Sequence, residues 1–159
     1  MQSAGGIFAH GFEPDAENYA YLLKKYEGRD DVCIHPCALW DKEERLVFRS
    51  NAATPSTSRL AGAEVHEEVQ GIAARPLDDV LQGVSCTLLK TDIEGAEYND
   101  LLGAAKTIEE QRPKLAVCIY HSLEDYVRIP DLLMERYPFY RFFVRQHSVT
   151  SGETVLYAL

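Results

Sequence analysis

Apolar positions along the chain fall into two alternating rhythms, short runs of the strand kind and stripes at helical spacing. Residues 7–12 form a short apolar stretch that ends at Glu13 and Pro14. Asp15 then stands at an N-cap position ahead of Tyr19, Leu22, Leu23 and Tyr26, which share one helical face. Residues 32–39 read as a second strand and 45–49 as a β segment, while 50–62, rich in Ser, Thr, Ala and Gly, reads as loop. Another β segment is predicted within 65–76, followed by a short helix or turn over 77–81.

Residues 87–91 predict a third main strand, and 96–110 a helix with Leu101, Leu102, Ala105 and Ile108 on one face. Residues 114–120 are nearly all apolar, as in a parallel strand covered on both faces. Ser122 with Asp125 behind it has the form of a capping box, and Pro130 is expected to split the helix that follows. Strands over 140–145 and 154–159 close the chain, linked through Gly152.

Strands that alternate with helices and end in a helix-free pair specify an α/β fold, mostly parallel, with a C-terminal antiparallel hairpin. Right-handed crossovers gather the loops after the strands on one edge, where ligands bind. Glu13, Asp92, Glu94 and His121 all come just after predicted strands.

Composition narrows this picture. The 159 residues, 46% hydrophobic and 26% charged, suit one globular domain with a real core. A formal charge of −9 argues against nucleic acid, whose phosphates call for clustered Lys and Arg. No apolar run approaches the ~20 residues of a membrane span, and no signal pattern opens the chain, so a soluble, cytoplasmic protein without a membrane partner is expected. Cys33, His35 and Cys37 would share a strand face, but the two thiols would lie about 13 Å apart, too far for one metal ion or one disulfide. These two, with Cys86 and Cys118, are read as small buried hydrophobes in a reducing compartment.

The candidate chemistry lies at the ends of the predicted strands. Asp92 and Glu94 are two residues apart, so an extended backbone turns both the same way, with Cα atoms about 7 Å apart. If strand 87–91 lies beside 114–120, His121 falls within roughly 5 to 10 Å of Asp92, and the three groups converge. An imidazole, with its ordinary pKa near ~6.5, suits removal of a hydroxyl proton, and Asp92 could orient it. The same trio could hold a divalent metal, but without definite spacing this ranks below the base, and no metal ligands are assigned. Glu97 is read as a helix-start acid, worth ~0.3–1 kcal/mol against the helix dipole. Lys90 shares a face with Asp92, so an ion pair is the rival explanation of both. His10, His35 and His66 show no partner pattern.

The segments GFEPDAENYAYL, CALWDKEERLVF, LLKTDIEGAEYNDLLGA, IYHSLEDYVRIPDLL and ETVLYAL, in that order, resemble the FkbM family of S-adenosylmethionine-dependent methyltransferases. The resemblance implies a Rossmann-like class I methyltransferase sheet over residues 1–159, S-adenosylmethionine as cofactor, and a small-molecule hydroxyl acceptor on a sugar, lipid or polyketide-type compound. It implies that Glu13 accepts hydrogen bonds from the cofactor ribose and that Ala38, Leu39 and Trp40 border the adenine. Asp92 would face the cofactor, with Asp92, Glu94 and His121 at the transfer site. One departure matters: family members carry a first strand and a glycine-rich turn before the segment resembling GFEPD, and Met1 to Gly6 are too few for either. That strand would sit between strands 7–12 and 87–91. The expectation is therefore an N-terminally truncated domain, completed by an upstream segment or a second copy, or else closed directly. The rival class is a non-catalytic α/β module kept for association.

Overall fold

The computed structural model describes residues 6–49, 59–61, 71–149 and 152–159. β1 (Ala9–Phe12), α1 (Ala16–Lys25) and β2 (Val32–His35) come first, and then β3 (Ala38–Leu39), β4 (Glu44–Arg49), β5 (Arg59–Ala61) and β6 (Gly71–Arg75). They are followed by α2 (Leu77–Val80), β7 (Leu88–Thr91), α3 (Glu97–Gly103), α4 (Ala105–Gln111), β8 (Lys114–Cys118), α5 (Asp125–Arg136), β9 (Phe142–Gln146) and β10 (Thr154–Ala158). No helix among the described residues is long and apolar enough to cross a membrane.

The fold is α/β, but its strands form three sheets rather than one mostly parallel sheet. β1 and β2 make a parallel pair; β7, β8, β10 and β9 form a mixed sheet in that order; β3, β6, β4 and β5 form another. The C-terminal hairpin is present, with β10 antiparallel to both β9 and β8. Among the described residues no strand precedes β1, and β1 and β7 each have one unpaired edge. Among the described residues no ladder joins β1 to β7, and the expected sheet is divided there. A second division lies at Pro36, which has no N–H for a ladder: β2 ends at His35 and pairs with β1, whereas β3 pairs with β6.

Three further expectations are corrected. The predicted loop over 50–62 contains β5, paired antiparallel with β4; 50–58 and 62 lie outside the described residues, as do 65–70 of the predicted β segment, His66 included. The helix predicted over 96–110 is two helices, because the Asp78 carboxylate accepts the N–H groups of Lys106 and Thr107, both at 2.8 Å, and so caps α4 from another element. Pro130 lies inside an unbroken α5. It forfeits one backbone hydrogen bond there, while Ile129 and Leu133 anchor the helix in the core on either side.

The core belongs to the C-terminal body. Leu101, Ile108, Leu115, Val117, Ile129 and Leu133 are fully enclosed, and Leu39 joins them from β3. Gly103 lets α3 meet the end of β3, since a Cβ there would overlap the Trp40 carbonyl oxygen. β7 and β8 are parallel with Thr91 opposite Val117, so the chain leaving β7 runs beside the chain leaving β8. That register positions the site.

Candidate functional site

The acidic segment after β7 is a tight turn. Ala96 N–H donates to the Ile93 carbonyl at 3.4 Å across Glu94 and Gly95, both at positive φ (58° and 101°). Gly95 suits this position, whereas Glu94 holds a conformation unfavourable for a residue with a Cβ. The turn is held from inside by Glu97, which is 0% exposed. Its Oε1 accepts the Ile93 N–H at 2.7 Å and its Oε2 the Gly95 N–H at 2.9 Å.

Glu97 also fixes His121. Its Oε1 lies 2.8 Å from His121 Nδ1, while His121 Nε2 faces Asp92 Oδ1 at 3.6 Å and Glu94 Oε2 at 3.7 Å. The structure thus brings Asp92, Glu94 and His121 together, with side-chain contacts shorter than the roughly 5 to 10 Å that strand spacing suggested. Burial by itself lowers the His121 pKa, but the Glu97 hydrogen bond and the charges of Glu97, Glu94 and Asp92 outweigh it, and the net shift is upward. The ring is 4% exposed, against 36% for Asp92 and 31% for Glu94. A molecule arriving from solvent therefore meets the two carboxylates first.

Asp92 has a dense set of partners. Lys90 Nζ lies 3.1 Å from its Oδ2, and the Tyr120 hydroxyl donates to Oδ1 at 3.2 Å. Burial raises its pKa, yet hydrogen bonds from Lys90, Cys118 and Tyr120 and the Lys90 charge bring the net shift below the usual carboxylate value. Burial, then the bond to Asp92, pushes the Cys118 thiol up to about 12, so it stays a protonated donor. The ion pair read from the sequence is real, but it occupies one oxygen of a carboxylate that also faces Tyr120 and His121. Behind the turn, Asp100 is fully buried, and burial pushes its pKa up to about 7 despite a Thr91 hydrogen bond, with the Glu97 charge adding to the rise.

Asp92, Glu97 and His121 each bring one possible metal-ligand atom within 4.8 Å of the others. Both Glu97 oxygens, however, already accept backbone N–H groups. That arrangement suits a carboxylate that orients an imidazole better than one that binds a metal.

The helix-start reading of Glu97 is too small: it has a buried structural task at the centre of the site. A signal for it existed. Glu97, Leu101, Ala104 and Ile108 recur on one helical stripe, and an acid within a buried apolar stripe needs a partner. Cys118 and Tyr120 were also missed, because their roles depend on the β7–β8 register.

The remaining candidates sit apart from this cluster in sequence and sheet. Glu13 follows β1, half-buried, with Oε1 accepting the Asp15 N–H at 2.9 Å. Burial raises its pKa, the Asp15 N–H bond opposes the rise and the Asp15 charge adds to it. Ala38 and Leu39 are buried in β3, so only their backbone is left to meet a ligand. Trp40 is half-buried and its backbone N–H donates to the Arg75 carbonyl at 3.0 Å.

Comparison with known proteins agrees with this layout. The crystal structure of methyltransferase FkbM from Methylobacillus flagellatus KT is similar, with a TM-score of 0.72 and 26% identity over 96% of this chain and 36% of that one. This chain thus spans little more than a third of that protein's length. No curated protein matches by sequence. The family described as the Methyltransferase FkbM domain matches residues 2–146, and the chain belongs to that family.

Proposed function

We propose that the chain forms part of an S-adenosylmethionine-dependent O-methyltransferase acting on a hydroxyl of a sugar, lipid or polyketide-type small molecule in the cytoplasm. The observation that carries this reading is the His121 ring, clamped through Nδ1 by buried Glu97 and directed through Nε2 at Asp92 and Glu94. A positioned imidazole beside accessible acids suits removal of an acceptor's hydroxyl proton, and alignment supplies most of the rest of an in-line transfer.

The residues present fit part of the cofactor. Glu13 has one oxygen engaged by Asp15, and the other, without a partner among the described residues, could accept from ribose hydroxyls. Trp40 and the backbone of Ala38 and Leu39 would border the adenine, and Asp92 would face the cationic end. When bound, S-adenosylmethionine supplies an electrophilic methyl group on a sulfonium. Positive charge beside Asp92 and Glu94 opposes a second positive charge on His121, so it favours the neutral imidazole that can take a proton. Glu94, on its turn, has to swing aside for a hydroxyl to reach Nε2.

The open edges of β1 and β7 favour a strand from an upstream segment or a second copy as partner, and they equally favour the rival reading, an association module without catalysis. Calorimetric titration with S-adenosylmethionine and S-adenosylhomocysteine, on this chain and on a form extended upstream, separates the two. Binding by either form supports the enzyme; silence from both removes it.

A further inference from the structure

The β1–β2 pair carries a cluster that the methyl-transfer reading leaves unused. Parallel register sets His10 opposite Cys33 and Phe12 opposite His35, so the period-two alternation of strands puts Phe8, His10, Phe12, Cys33 and His35 on one face. His10 Nδ1 and His35 Nε2 are 2.9 Å apart, and one ligand atom from each of His10, Cys33 and His35 lies within 4.8 Å of the other two. We propose that these three residues form a transition-metal site with two nitrogen ligands and one sulfur ligand, suited to Zn2+, that ties β1 to β2.

The donor set fits the ion. Imidazole and thiolate are the ligands Zn2+ favours, and three protein ligands leave the fourth tetrahedral position to water. Bonds of ~2.0–2.1 Å to nitrogen and ~2.3 Å to sulfur place the two nitrogens roughly 3.3 Å apart and each nitrogen roughly 3.6 Å from the sulfur. The nitrogens need to open by only a few tenths of an ångström. On binding, the hydrogen between the two rings moves to the far nitrogen of its own imidazole, leaving a lone pair on each facing nitrogen, and the Cys33 thiol proton passes to solvent as the thiolate–metal bond forms.

The surroundings fit as well. Phe12 stacks on His35 with centroids 4.9 Å apart, and Phe8 tilts against His10 at 5.0 Å, so aromatic rings flank both imidazoles. Neither β1, β2 nor α1 contains a fully buried residue, so this unit lacks a core of its own. In such a unit the free energy of metal binding serves directly as folding free energy. Sequence spacing directed attention to Cys33 and Cys37 and missed the cluster, since its third ligand comes from the neighbouring strand.

Co2+ titration of the whole chain tests the site, because a thiolate ligand produces a sulfur-to-cobalt charge-transfer absorption that oxygen and nitrogen ligands do not. The expected result is one such band saturating at one Co2+ per chain and bleached by Zn2+. It should be lost in Cys33→Ser, weakened in His10→Ala and His35→Ala, and kept in Cys86→Ser and Cys118→Ser. Absence of the band in the unaltered chain, or its loss with Cys118 rather than Cys33, overturns the proposal. Zinc-edge X-ray absorption on the unaltered chain needs no variant: one sulfur and three nitrogen or oxygen neighbours support the site, and a shell without sulfur sinks it.

Discussion

The β7–β10 body and the β1–α1–β2 ribbon have similar apolar patterns and opposite fates. In the body, the apolar stripes of α3, α4 and α5 close over the sheet, and Leu115, Ile129 and Leu133 are wholly enclosed. In the ribbon, the α1 stripe of Tyr19, Leu22 and Tyr26 is only half-buried, Tyr21 and Leu23 are exposed, and no residue of the helix is enclosed. β7, at the boundary, shows both conditions: Leu89 and Thr91 are buried, while Leu88 and Lys90 on its other face are exposed. An amphipathic pattern therefore specifies a helix and its apolar face, but the cover for that face has to come from elsewhere in the molecule or from outside it.

The sharpest way to break this contrast is to delete a leucine from each region. Leu133→Ala or Leu115→Ala should cost about 2–5 kcal/mol in urea denaturation, while Leu23→Ala should stay within about 0.5 kcal/mol. Equal losses would mean that the ribbon has a core after all.

Asp100 probes the body from within. The native state keeps its proton up to about pH 7, whereas an unfolded chain loses it near the ordinary value of 3.8. Across that window the native state binds more protons, so this residue makes stability fall as pH rises from about 4 to about 7. Asp100→Asn should remove the slope and raise stability at neutral pH by roughly 2–4 kcal/mol, read by denaturation at several pH values. An unchanged slope would mean that the buried carboxyl is not the group responsible.

Glu97→Gln tests the link between core and site. His121 titrates above its ordinary 6.5 in the native state, so its contribution to stability is full below 6.5 and is lost as pH rises through the raised value. Replacing Glu97 removes the leading upward cause, and an NMR titration of the His121 ring should move down in pH. The stability loss above pH 6.5 should shrink with it. A titration that does not move would leave Asp92 and Glu94 as the holders of the proton.

Much of this was legible in the sequence. Strand–helix alternation, the terminal hairpin and the acids at strand ends follow from local periodicity, and Asp92, Glu94 and His121 do converge. What escaped depends on contacts distant in sequence. The division of the sheet rests on which strands pair, the break between α3 and α4 on Asp78, and the clamp on His121 on an acid whose burial is set by tertiary packing. The His10–Cys33–His35 cluster escaped for the same reason, because pairing of β1 with β2 assembles it.

The mildest test concerns the α1 cap. Asp15 accepts the N–H groups of Glu17 at 3.0 Å and Asn18 at 2.9 Å, satisfying donors that the helix itself cannot. Asp15→Ala should cost about 1 kcal/mol of helix stability. In a helix packed into a core, that loss would appear in global unfolding, since opening the helix would open the domain. In α1, which encloses nothing, it should instead appear as faster amide hydrogen exchange over Glu17 to Lys25, with the urea midpoint of the body unchanged. A shift of the global midpoint by the full amount would show that ribbon and body unfold as one unit, and that α1 is covered by a partner whose contacts Asp15 helps to keep.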